Sequence, residues 1–299
     1  MQNKNSTTKR HILRNTLLLL FVVLIVFCVF ELWISKHWLQ VSHYEISSDR
    51  LDHDFRIVQL TDLHNSVFGK NNEKLAGKVA AEKPDLILIT GDLLNQGDEN
   101  TDIATGLISR MTKIAPVYVS FGNHEVGYEE RWGADLTALY KEAGAADVID
   151  RSWIEVTVNG QLIRLGGIYG YCLPEKTAKA RPDRHEESEF VKRFEDTDDY
   201  CVLMAHMPVC WMINGSLDAY DVDCVISGHA HGGQIVIPFA GGFYAPDQGH
   251  FIGREWGVFD SKDGDKHLVL SRGLGSNEKI PRFNNRPEIV VVDFKAKQE

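Results

Sequence analysis

Three hydrophobic patterns succeed one another along this chain. Every residue from 17 to 30 is apolar, and the run resumes at Leu32, Trp33 and Ile34 around a lone Glu31. Residues 16–34 therefore have the length of one membrane-spanning helix, which takes roughly 17–25 residues. Further on, apolar residues come in short β-rich runs: Ile57-Val58-Gln59-Leu60, Leu86-Ile87-Leu88-Ile89, Val117-Tyr118-Val119, Val202-Leu203-Met204 and Val225-Ile226. Between the first three, apolar residues stand at helical spacing: Leu75 and Val79 in 71–82, then Ile103, Leu107, Ile108 and Met111 in 102–114. A third such helix is expected over 129–143, with Leu136, Leu139 and Tyr140 on one face. Residues 153–158 and 162–168 flank Asn159-Gly160, the signature of a tight β-hairpin. The charged stretch 176–199 reads as a helix-like, exposed surface segment, and strands resume at Val202, Val225, Ile235, Leu268 and Ile289.

Short strands alternating with helices predict an α/β fold. Their order fits a four-layer α/β/β/α sandwich of two mixed sheets flanked by helices, with one N-terminal transmembrane helix. The chain then divides into a basic N-terminus (1–14), a signal-anchor helix (15–35), a linker (36–49) and one domain (50–299). With 299 residues, 43% of them hydrophobic and 25% charged, the composition suits a single sizeable α/β domain.

Each β-rich run leads into residues that bind divalent metals: Asp62 and His64, Asp92, Asn123, His206, and His229 with His231. Ligands gather at the carboxyl ends of strands in such sheets, so five strands bring oxygen and nitrogen donors to one edge. Asp62/His64 and His229/His231 are i, i+2 pairs, which an extended strand end would project to the same face. Two carboxylates, one amide oxygen and several imidazoles are too many donors for one tetrahedral zinc, and too rich in His for magnesium or calcium. The set suits two transition ions (manganese, iron or zinc) sharing a carboxylate. Two such ions roughly 3.5–4 Å apart form the clamp used for displacement at phosphorus.

The order Asp62-Leu63-His64, Gly91-Asp92, Gly122-Asn123-His124-Glu125, His206 and Gly228-His229-Ala230-His231 resembles the calcineurin-like metallophosphoesterases. Gly232-Gly233-Gln234, the stretch 245–249 and Ser271-Arg272-Gly273-Leu274-Gly275 resemble that family's bacterial membrane-associated phosphodiesterase branch. The likeness covers about residues 50–295. It implies one ion on Asp62, His64, Asp92 and His231, and a second on Asp92, Asn123, His206 and His229, with Asp92 bridging. It also implies that a hydroxide held between the ions attacks phosphorus while His124 serves as general acid. One departure is Asn95, where many phosphatases of the family carry an Asp that orients the catalytic His. Ala230 stands where the branch often has Thr, at a position that is not a ligand. The Asn95 departure and the branch tilt the expected reaction toward a phosphodiester or pyrophosphate. A phosphomonoesterase is the neighbouring alternative, and a non-catalytic metal-binding envelope protein the alternative of a different class.

The net charge of −10 argues against a nucleic-acid surface. Two bound dications would reverse the local field, so an acidic chain can still accept phosphate. Lys4, Lys9, Arg10 and Arg14 precede the apolar run, so the positive-inside rule puts the first residues in the cytoplasm and the domain outside it, at the cell membrane. Trp33 and Trp38 fit an aromatic belt at the far side. A cleaved export signal is the competing reading, although no small-x-small site follows the run. That placement suggests an envelope substrate, such as a phospholipid head group or a cell-wall polymer. Four cysteines, Cys172, Cys201, Cys210 and Cys224, fall in the domain and read as buried small hydrophobes. Arg272 is expected to pair with a structural carboxylate. His250 is the one further histidine with a claim on the substrate side.

Overall fold

The apolar runs have no polar side to offer water, so their strands are covered on both faces. The computed structural model describes residues 2–174, 185–251, 253–276 and 281–297. One six-stranded sheet orders β1 (Gln40–Ser48), β16 (Glu288–Ala296), β2 (Phe55–Leu60), β3 (Leu86–Thr90), β4 (Val117–Ser120) and β5 (Asp147–Val148). The strands β2 to β5 are parallel, β16 runs antiparallel to β2, and β1 is parallel to β16. A second sheet orders β14 (Gly257–Asp260), β15 (His267–Leu270), β9 (Cys224–Ser227), β8 (Tyr200–Ala205), β7 (Gln161–Ile168) and β6 (Ser152–Val158). It is parallel from β15 to β7, with an antiparallel strand at each edge.

Strand alternation sorts the side chains into three packed layers. Ile57, Leu86, Leu88 and Val292 meet Leu165, Val202, Met204 and Ile226 between the sheets. On the opposite faces of the same strands, Val58, Ile87, Ile89 and Val119 pack against α2 (Glu73–Glu82), α3 (Asp102–Met111), α4 (Asn123–Trp132) and α5 (Leu136–Glu142) through Leu75, Leu107, Tyr128 and Tyr140. Leu203 and Val225 likewise pack against α6 (His185–Phe194), α7 (Val209–Met212) and α8 (Ser216–Ala219). The result is the expected four-layer sandwich of two mixed sheets. Both residues of the Asn159-Gly160 turn have positive φ, 52° and 91°, the twist that closes β6 onto β7. Two short hairpins, β10/β11 (Val236–Ile237, Gly241–Gly242) and β12/β13 (Tyr244–Ala245, Gly249–His250), hang beside the second sheet.

The N-terminal helix α1 runs from Gln2 to His37, through the basic flank as well as the apolar run. Among its described positions, only the last turns dock: Ile34 and Ser35 are buried, whereas Leu17 to Leu24 are all more than half exposed.

Four expectations need correction. Residues 36–49 are not a free linker: β1 pairs along its whole length with β16, because its alternate residues Ile46 and Ser48 have a sheet to bury against. The helix expected over 129–143 is two helices, broken at Gly133, whose φ of 65° ends α4 in a left-handed cap. The segment from His185 to Phe194 is not a surface strap, since Phe190, Val191 and Phe194 sit in the second outer layer; the rest of the stretch up to 184 lies outside the described residues. Ile235 forms a single bridge to Phe283 and no strand of the main sheets.

Candidate metal centre

The loops after β2, β3, β8 and β9, together with the start of α4, meet at one end of the sandwich. They bring Asp62, His64, Asp92, Asn123, His206, His229 and His231 together. Donor atoms of Asp62, His64 and His231 lie within 4.8 Å of one another, and so do those of Asp92, His206 and His229. These are two groups, joined through Asp92: its Oδ2 lies 3.6 Å from His64 Nε2 and 3.3 Å from His206 Nε2.

The backbone reaches this geometry by a route the spacing did not suggest. Asp62, His64, Asp92, His229 and His231 all have positive φ, between 46° and 66°. The i, i+2 pairs face the site because each ligand sits in a left-handed kink, not because the strand stays extended. Such kinks strain non-glycine residues, and strained backbone gathers at functional sites. The glycines beside them serve closeness: a Cβ on Gly122 would collide with the Asp92 carboxylate, and one on Gly228 with Thr61 and Asp62. Only Gly91 of these three needs its own positive φ, 87°.

Neighbouring groups orient the ligands. His206 Nδ1 donates to the Thr90 carbonyl at 2.7 Å, which turns Nε2 toward Asp92. His64 Nδ1 donates to Asn95 Oδ1 at 3.0 Å. Asp62 accepts the His229 backbone N–H and the Thr61 hydroxyl, and Asp92 accepts the His124 backbone N–H at 2.9 Å. His229 Nε2 lies 3.0 Å from Asp247. Below them, Gln59 of β2 donates to Thr90 Oγ1 and to the Ser227 carbonyl of β9, tying the two sheets together. Among the candidate ligand residues, four buried side-chain atoms have no hydrogen-bond partner: His64 Nε2, His206 Nε2, His231 Nδ1 and Asn123 Oδ1. Buried polar atoms are rarely left so. Orphans of this type beside two buried carboxylates fit a pair of divalent cations.

The electrostatics agree. Burial would raise Asp92 and Asp62, but the surrounding imidazoles outweigh it and hold both below the ordinary carboxylate range, Asp92 furthest. Burial lowers His64, and takes His231 down to about 3. His206 is also buried, yet its contact with Asp92 raises it to about 10.

His124 stands on the first turn of α4, half-buried, its ring 4.6 Å from that of His64. Its Nδ1 accepts the Gln96 backbone N–H at 3.2 Å, so Nε2 is the nitrogen that carries a proton. His124 also lies within ligand distance of His64 and Asp92.

Asn95 does not orient His124. It contacts His64 through both amide atoms, accepting from Nδ1 and donating to the carbonyl, because the left-handed turn at His64 brings that residue beneath it. Arg272 lies 3.8 Å from Glu288 and stacks on Trp256, the structural role expected. His250 is exposed on β13 against Phe243 and Tyr244. All five cysteines are free. Two supporting residues went unassigned in the sequence. Glu125 accepts the backbone N–H groups of Asp92, Leu93 and Gly122, and Asp247 holds His229. Both lie in quoted motif segments, which was the available signal.

Residues 55–233 match the family described as calcineurin-like phosphoesterase. The chain is 26% identical over 275 residues to the uncharacterized metallophosphoesterase YkuE of Bacillus subtilis, covering 88% of each chain. It is 28% identical over 255 residues to the phosphodiesterase YaeI of Escherichia coli, covering 80% of this chain and 82% of that one. Among solved structures, a 5'-nucleotidase precursor from Thermus thermophilus aligns at 16% identity with a TM-score of 0.46, over 74% of this chain and 48% of that chain.

Proposed function

The chain belongs to the calcineurin-like phosphoesterase family, and from that premise we propose that it hydrolyses a phosphodiester or pyrophosphate at the cell envelope. It is a hydrolase acting on phosphoester bonds; the finer reading concerns the substrate, the site and the place. The observation that carries it is the gathering of buried imidazoles around two buried carboxylates, His64 and His231 beside Asp62, His64 and His206 beside Asp92. In this reading Asp62, His64 and His231 hold one dication, Asn123, His206 and His229 the other, and Asp92 both. When bound, the pair would neutralise phosphoryl oxygens and activate a water for attack.

The chain's own residues supply the rest. Asn95 and the Thr90 carbonyl fix the ring orientation of His64 and His206, and such outer partners tune metal affinity. His124, on the first turn of α4 beside His64, would as an imidazolium give a proton to the departing alkoxide and lower the barrier to leaving-group expulsion. With Asn95 on His64, the preference for diesters no longer draws on that residue; it draws on the likeness to a relative named as a phosphodiesterase. The basic flank of α1 and its exposed apolar surface support a single-pass anchor with the domain outside the cytoplasm.

The test is to load the purified full chain with manganese, iron or zinc and assay aryl phosphodiesters, aryl monoesters and lipid extracts. Faster diester than monoester turnover supports the proposal. A monoester preference would transfer the assignment to a phosphomonoesterase, and bound metal with no turnover would point to a non-catalytic binder.

A further inference from the structure

A cavity of about 600 Å³ opens between the last turns of α1 and the metal-ligand cluster. Leu32, Ser35 and Lys36 of α1 line it together with His64, Phe68 and Arg282 of the domain. The substrate-sized space beside the ligands is therefore completed by the helix that carries the apolar run. Ser35, wholly buried, accepts the Asn285 backbone N–H, so α1 is fastened to the domain there.

Arg282 is the unusual member. It is 5% exposed, with Nε on the Gly275 carbonyl and Nη2 on the Arg272 carbonyl. Its Nη1 has no partner, and no carboxylate forms an ion pair with it among the described residues. Burial lowers the guanidinium to about 10, which leaves it cationic at neutral pH. The charges of Asp62 and Glu288 support it from a distance, but a buried guanidinium N–H with no acceptor is costly unless an anion completes it.

A second observation sets the depth of this cavity. The β10/β11 hairpin is held by Val236 donating to the Phe283 carbonyl, and Phe283 packs edge-on against Phe27, inside the apolar run of α1. At the hairpin tip Phe239 is fully exposed and Ile237 is 38% exposed. An exposed Phe at the level of a spanning helix's apolar segment belongs in the same medium as that helix. The mouth of the cavity, one to three turns below Phe27, then falls at the polar boundary of the bilayer, where Lys36 and His37 stand.

We propose that this cavity seats the phosphate ester of a lipid, with Arg282 receiving a phosphoryl oxygen, Leu32 and Phe68 flanking the first methylenes, and the remaining chain left in the bilayer. The inference rests on the phosphodiesterase reading above and names its substrate class.

The test uses the full chain in neutral detergent micelles, loaded with manganese, and two esters that share a leaving group. Hexadecyl 4-nitrophenyl phosphate stays in the micelle, whereas methyl 4-nitrophenyl phosphate stays in water. The hexadecyl rate should saturate with its mole fraction in the micelle, with kcat/KM roughly 100-fold above the methyl ester, as a few methylenes in an apolar seat would give. Leu32→Trp fills the cavity from an exposed helix position and should cut hexadecyl turnover about tenfold more than methyl turnover. Arg282→Lys should weaken inhibition by inorganic phosphate about tenfold, since a point charge replaces the fork. Independently of activity, a phosphatidylglycerol with a photoactivatable acyl chain in nanodiscs should label peptides containing Leu32 and Phe68 in metal-free protein.

Equal kcat/KM for the two esters, unchanged by Leu32→Trp, would overturn the lipid seat and leave the phosphodiesterase reading standing. If neither ester is cleaved, that reading fails first, and labelling decides the seat: labelled cavity peptides keep it, and their absence removes it.

Discussion

The carboxylate of Glu125 accepts the backbone N–H of Asp92 at 2.7 Å, and through its other oxygen that of Leu93 at 2.8 Å. The same residue accepts Gly122 N–H at 2.9 Å, so one buried carboxylate clamps the loop after β3 to the start of α4. Asp92 is held in its left-handed kink from behind while its own carboxylate faces the ligands. Glu125→Gln should turn a donor amide toward an N–H and leave it unpaired. The expected loss is about 1–3 kcal/mol for each orphaned N–H, read as a lower Tm together with weaker metal retention. An unchanged Tm would show that the clamp is dispensable.

Glu125 also predicts a pH dependence. Burial first, then the charge on Asp92, raises its pKa from 4.5 to about 7 in the metal-free protein. A raised folded-state pKa means that protonated Glu125 favours the fold. Its contribution is full below about pH 4.5 and is lost as pH rises through about 7, on the order of 3 kcal/mol in total. Dications beside Asp92 would offset this by stabilising the carboxylate. Metal-free protein should lose stability in urea melts between pH 5 and 7, and Glu125→Gln should flatten that slope. A wild-type stability that rises over the window would contradict the assignment.

Asp92→Asn should lower occupancy at both ion positions together, since this carboxylate faces His64 and His206 at once. Elemental analysis showing two full equivalents in the variant would remove Asp92 from the shared role.

Metal uptake should release a proton. His206 carries one on Asp92 up to about pH 10, and an imidazole must be neutral to ligate. Apparent affinity should therefore climb from pH 7 toward 9, by up to roughly tenfold per unit. Calorimetric titration in buffers of different ionisation enthalpy measures the proton count; a count of zero at pH 8 would rule this out.

His124→Ala should keep both ions yet lose activity by about 10²–10⁴, less for nitrophenyl than for alkyl esters, which depend on a proton donor. Asn95→Ala should do the reverse: weaken metal binding by roughly 10–100-fold while leaving the leaving-group dependence intact, because Asn95 contacts His64. A variant of Asn95 that altered leaving-group dependence would return it to His124.

The residues that cluster in the candidate site were legible because each follows a strand short enough to recognise, and because donor chemistry stands out at strand ends. The two mixed sheets followed from the same runs. What the spacing could not give was backbone handedness: five ligands in left-handed kinks look identical in sequence to five at extended ends. The contact of Asn95 with His64 was likewise out of view, because the resemblance pointed to the catalytic histidine at that position. Strand β1 was hidden because Gln40 to Ser48 alternates polar and half-apolar residues and becomes a strand only when β16 supplies the other edge. Glu125 and Asp247 act on a backbone and on one ring nitrogen, contacts that only the assembled loops create.

Between the end of α1 at His37 and the start of β1 at Gln40 there are two residues, Trp38 and Leu39. They span at most about 7 Å, and hydrogen bonds from Trp38 to Ile34 and from Gln40 to Pro287 fasten both sides of the link. An enzyme tethered this way has no stalk. With α1 in a bilayer, as proposed above, its search for substrate would become two-dimensional, governed by lateral diffusion of both partners in one plane, and a target standing tens of ångströms off that plane would stay out of reach however abundant it is.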